Sequence, residues 1–246
     1  MSQGNAIAAS RLPAPDSLSL ARQVAQMVVV RASGHLFDHE IRYPTWEADS
    51  ATLNRYIEEL GVGGVILLGG SAAEVGLKTQ ALQAQASIPL LIAADIEEGV
   101  GQRFSGATWF PPPMALSAVA TGNLEQAVIY AEAFGATTAA EALAIGINWV
   151  LAPVVDINNN PDNPVINVRA FGDELTQVKA LTQAFIRGAQ TQPVLTTAKH
   201  FPGHGDTATD SHLKLPVLPH SRARLKALEL MPFDQAIAAG IDAIMT

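Results

Sequence analysis

Apolar residues in this chain fall into short, nearly continuous runs separated by longer stretches with helical spacing. The runs are QMVVVRASG (26–34), VGGVILLGG (62–70), PLLIAADIEEG (89–99), INWVLAPVVDIN (147–158), VLTTAKHFPGHG (194–205) and DAIMT (242–246). Between them, 46–60 (with Leu53, Tyr56, Ile57 and Leu60), 71–87, 121–145, 173–191 and 221–240 read as helices. Near-continuous apolar strands alternating with helices predict a parallel sheet buried on both faces, built from repeated βα units with right-handed crossovers.

Two α/β architectures fit this pattern, an open doubly wound sheet and a TIM-type (β/α)8 barrel. Both place functional groups after the ends of strands, where the polar clusters of this chain lie. The open sheet calls for a glycine-rich phosphate loop after its first strand. VRASGHLFDHE, which follows the first run, is not G-x-G-x-x-G, so the pattern favours the barrel. About six βα units are readable instead of eight, and the sixth stops at Met245-Thr246. The barrel is therefore expected to be incomplete in this chain, with open sheet edges. Residues 1–15, rich in Ala, Ser and Pro, are expected to form a flexible arm, and 16–246 a single partial barrel domain.

Composition narrows the partners. Of 246 residues, 48% are apolar and 15% charged, which suits a globular chain with a substantial core, and the net charge of −8 argues against a nucleic-acid backbone or an anionic membrane surface. There is no cysteine, so disulfides and thiolate metal sites are excluded. The N-terminus lacks a secretory pattern, and no apolar run reaches the roughly 18 residues of a membrane helix. These features lead to an expectation of a cytoplasmic protein.

The densest chemistry lies in KHFPGHGDTATDSH (199–212). His200 and His204 have a zinc-like spacing only on a helix, and Pro202, Gly203 and Gly205 oppose a helix there. A phosphate loop needs its lysine after the glycines, whereas Lys199 precedes them. A third reading is proton transfer. Asp210 and His212, two residues apart, can bring a carboxylate to an imidazole, fixing its tautomer and raising its basicity. A solvated loop whose polar residues cap turns competes with it.

KHFPGHGDTATDSHLKLP resembles the signature of family 3 glycoside hydrolases, in particular the bacterial β-N-acetylglucosaminidase type. AADIEEGVGQRF (93–104) is similar to that family's D-x-E-G-G-x-x-x-R segment, LAPVVDIN (151–158) to its next strand, and NPVINVRAFG (163–172) to its Arg-Ser-Phe-Gly loop. The resemblance implies a partial TIM barrel without cofactor or metal. It also implies retaining exo-hydrolysis of terminal β-linked N-acetylglucosamine, as found in peptidoglycan or chitin-type fragments. By the same resemblance Asp95, Arg103, Arg169, Lys199 and His200 bind the sugar, and His212, assisted by Asp210, is the general acid/base. A β-glucosidase or phosphorylase on the same barrel is a close variant.

The family's aspartate nucleophile lies on a strand beyond Thr246, and Glu229, Asp234 and Asp242 do not fit it. The expectation is a truncated portion of a longer hydrolase, inactive or nearly so by itself. Glu98 stands where the family has glycine, and Ala170 where it has serine. Asp156 is expected to be structural and hydrogen-bonded, and His35, His39 and His220 to be surface or loop residues. Two rival functions are a non-catalytic carbohydrate-binding barrel and a metal hydrolase using His200, His204 and Asp206.

Overall fold

The computed structural model of the protein describes residues 12–209, 213 and 215–246. In chain order the main elements are α1 (Leu20–Gln26), β1 (Val29–Ser33), α2 (Ser50–Arg55), β2 (Gly64–Leu68), α3 (Ala72–Gln85), β3 (Leu91–Ala94), α4 (Met114–Gly122), α5 (Leu124–Ala144), β4 (Trp149–Val150), α6 (Leu175–Ala189), β5 (Leu195–Lys199), α7 (Arg222–Ala227), α8 (Met231–Ala238) and β6 (Ala243–Met245). Each predicted apolar run contains one strand. The chain forms two compact units. One comprises Met1–Ile96, Val100–Thr108 and Glu141–Val150; the other comprises Glu97–Gly99, Trp109–Ala140 and Leu151–Thr246.

In the first unit β1, β2, β3 and β4 pair in parallel, with Val30 opposite Val65, Val65 opposite Ile92, and Ala93 opposite Trp149. Val65, Leu67, Ile92, Val75 and Ile147 are fully buried around this sheet. Asn148 stitches the start of β3, its amide donating to Leu90 O (3.0 Å) and its Oδ1 accepting from Ile92 N (2.8 Å). Helix α3 begins at a capping box. Ser71 Oγ accepts from Glu74 N, and the Glu74 carboxylate accepts from Ser71 N at 2.8 Å, so orphan donors of the first turn are met.

In the second unit β5 pairs in parallel with β6, Ala198 opposite Ile244. On its other side β5 meets residues 152–155 through Thr197 N to Ala152 O (3.0 Å) and Val155 N to Lys199 O (2.8 Å). Pro153, which has no N–H, keeps this stretch from a full ladder, so the run 147–158 yields only a two-residue strand. The apolar face of α6, with Val178, Leu181 and Phe185, is buried, and Phe185 meets Phe134 and Phe171 edge-on. Gly188 lets α6 approach α5, since a Cβ there would run into the Glu132 carbonyl. Among the described residues β1 pairs with β2 and, through one bridge at Ala32, with Ala48, while β6 pairs with β5.

Three differences from the pattern have local causes. Helix α1, capped by Ser19, precedes the first strand where no helix is expected. The stretch 121–145 is joined by an earlier helix, α4, and the two part at Asn123, whose Oδ1 accepts from Gln126 N (3.0 Å). The stretch 221–240 divides before Pro232, which suits a first helical turn and not a helix interior.

Candidate active site

The second unit gathers its charged groups around one carboxylate. Glu97 is only 4% exposed, three residues past the end of β3. Arg169 grips it with two parallel hydrogen bonds, Nε to Oε2 and Nη2 to Oε1, each 2.7 Å, a bidentate fork. Lys199, the last residue of β5, places Nζ 2.6 Å from Glu97 Oε1. Burial pushes the Glu97 carboxyl's pKa up, but the Arg169 hydrogen bonds and the charges of Lys199 and Arg169 outweigh it and hold the value down at about 2. The Lys199 side chain is only 2% exposed. Arg169 and His200 keep about a quarter of their side-chain surface open.

Asp156 organises the neighbouring loop. Its Oδ2 accepts from His200 N (3.0 Å) and faces His200 Nδ1 at 2.7 Å, while Oδ1 accepts from His204 N at 2.6 Å. The carboxylate orients the His200 ring through Nδ1, and the Nε2 on the ring's other side lies 3.4 Å from Arg169 Nη2. Asn163 adds a second staple, its amide donating to His204 O (2.8 Å) and Gly205 O (3.0 Å). The structural role expected of Asp156 is what the structure displays. Three donors converge on a fully buried carboxylate that fixes both histidines.

Of the other sugar-site candidates, Asp95 and Arg103 belong to the first unit and pair with each other. Arg103 Nε donates to Asp95 O (2.9 Å), and its Nη2 lies 3.7 Å from Asp95 Oδ2. Asp210 and His212 lie outside the described residues. His220 lies in the loop before α7, as expected of a surface or loop histidine, but it is paired there. Its Nε2 is 2.6 Å from Asp206 Oδ2, and Arg224 Nη2 lies 3.4 Å from the same oxygen and 3.0 Å from Glu229 Oε1, in a half-buried cluster. Asp206 thus faces His220 and Arg224, and the set His200, His204 and Asp206 is not among the ligand groupings found in the described residues. Asp242 sits at the N-terminal start of β6, where its carboxylate accepts from Thr196 N (2.8 Å).

Glu97 was within reach of the sequence. It is the glutamate of the D-x-E pattern, yet its role depends on partners 72 and 102 positions away, which spacing alone does not pair.

The arrangement, a buried carboxylate holding an arginine and a lysine beside an oriented imidazole, presents fixed donors to a polyhydroxylated ligand. The comparisons place the chain accordingly. Residues 19–246 match the Glycosyl hydrolase family 3 N terminal domain, and the chain belongs to that family. It is 36% identical over 197 residues to beta-hexosaminidase A of Pseudoalteromonas piscicida, covering 76% of this chain and 32% of the relative. It is 36% identical over 201 residues to a beta-N-acetylglucosaminidase/beta-glucosidase of Cellulomonas fimi, covering 82% and 35%. The chain thus spans about a third of the length of these relatives. A solved family 3 beta-N-acetylglucosaminidase from Paenibacillus sp. str. FPU-7 superposes with a TM-score of 0.79 at 39% identity, over 93% of this chain and 42% of that one. The TIM-type fold read from the pattern is the fold of this domain, seen in the described residues as six strands with intervening helices. No helix among the described residues is long and apolar enough to cross a membrane.

Proposed function

We propose that the chain is the larger part of the barrel of a retaining exo-β-N-acetylglucosaminidase. The observation that carries the proposal is the Glu97–Arg169–Lys199 network. It brings together two residues assigned to sugar binding on resemblance alone and fixes their positions. The substrate is a terminal β-linked N-acetylglucosamine, as in peptidoglycan or chitin-type fragments. Arg169, Lys199 and His200 of the second unit bind its hydroxyls and N-acetyl group.

In the first step a carboxylate nucleophile bonds to the anomeric carbon as the glycosidic C–O bond breaks. His212, steadied by Asp210, gives its proton to the departing oxygen. In the second step His212 takes a proton from water as that water bonds to the anomeric carbon and the ester bond breaks. A histidine suits both halves, because its ordinary pKa of about 6.5 lies near neutrality. Among the described residues Glu229 is tied to Arg224 and Asp242 to Thr196, so on this reading neither is the attacking carboxylate.

The test is a comparison of leaving groups in a catalytically complete protein carrying these residues. His212→Ala should lower turnover of an N-acetylglucosaminyl disaccharide by about 100-fold or more. An aryl glycoside with a good leaving group should lose far less. Equal losses on both would remove His212 as the acid, and turnover by the 246-residue chain alone would place the nucleophile within it. A second reading, a β-glucosidase, is favoured by the dual name of the Cellulomonas relative. Preference for glucosides over N-acetylglucosaminides in the same assay would select it.

A further inference from the structure

Glu98 stands where the resembling family has glycine, and the structure gives it a partner. Its Oε2 accepts from the indole Nε1 of Trp109 at 2.7 Å, and its backbone carbonyl accepts from Phe110 N at 2.8 Å. Phe110 packs on the buried Phe134 at a ring separation of 4.5 Å, which anchors the segment to the core of the second unit. The neighbouring side chain, Trp109, turns the other way and is 66% exposed. A tryptophan tied at its polar edge to a carboxylate, beside an anchored Phe110, has less rotational freedom to lose when a ligand arrives. It presents a rigid apolar plate to solvent. Glu98 is the residue directly after Glu97, the centre of the charged network.

We infer that Trp109, positioned by Glu98, is a stacking platform for the second sugar of a β-linked N-acetylglucosamine chain, the unit on the leaving-group side. The inference rests on the proposed glycosidase reading. In a β-linked pyranose of glucose configuration the hydroxyls are equatorial and the axial C–H bonds line both faces. Such a face fits a flat apolar surface, whereas the charged network suits the hydroxyl edge of the first sugar. Glycine at position 98 would leave the Trp109 N–H without this acceptor, so the two residues act as a matched pair.

The experiment is a fluorescence or calorimetric titration of the 246-residue chain with N-acetylglucosamine and with N,N′-diacetylchitobiose. The disaccharide should bind about tenfold more tightly than the monosaccharide. Trp109→Ala should remove that advantage while leaving monosaccharide affinity unchanged. Trp109→Phe should restore part of it, and Glu98→Ala should lose part of it. Equal affinity of the unaltered chain for the two sugars would overturn the proposal, as would a Trp109→Ala variant that weakens both alike. If neither sugar bound, the sugar-site reading itself would fall along with it.

Discussion

Removing the Glu97 carboxylate leaves Lys199 and Arg169 as like charges, the first of them buried. Breaking a buried ion pair by deleting one partner costs roughly 3–5 kcal/mol, so Glu97→Gln should lower unfolding stability by about that amount in urea titrations. The pH dependence has a definite sign. The carboxyl's pKa is depressed in the folded chain, from 4.5 to about 2. Its contribution is therefore complete above pH 4.5 and fades as pH falls toward 2. The stability gap between the unaltered chain and Glu97→Gln should narrow across that interval. A gap that stays constant would mean that the Glu97 charge is not what the network stabilises. At this scale the sequence was informative where a motif carried the residue and uninformative where a distant partner decided its state. Lys199 and Arg169 were singled out by their motifs, but the carboxylate that joins them was passed over. His220 was legible as a loop residue, but its partners Asp206 and Arg224 were not, because they are brought to it only by folding.

Among the elements, the loop after β5 is held by its contacts with the segment after β4. Gly205 packs where a Cβ would collide with the Ile157 carbonyl, next to the Asp156 and Asn163 staples on His204. Gly205→Ala should push the loop off this segment and cost about 1–3 kcal/mol, read as a drop in the thermal midpoint. An unshifted midpoint would mean that the loop has slack at this point. The strands were legible because buried parallel strands write themselves as apolar runs. Helix divisions were less so. Pro232 and Asn123 are both visible signals, but they sit inside apolar periodicities that continue across them. The short β4 reflects Pro153, whose missing donor the apolar run masks.

For the whole molecule, the family and its barrel followed from four motifs in order. The division into two compact units did not, because nothing in composition changes at Ile96, Thr108 or Val150. Whether the charged network is a sugar site is the central claim, and calorimetric titration of the 246-residue chain with N-acetylglucosamine tests it most directly. The account predicts saturable one-to-one binding in the unaltered chain. It also predicts loss of that binding in Lys199→Met, a change that keeps the length of the side chain and removes its charge. No binding by the unaltered chain, or undiminished binding by a folded Lys199→Met variant, would contradict it.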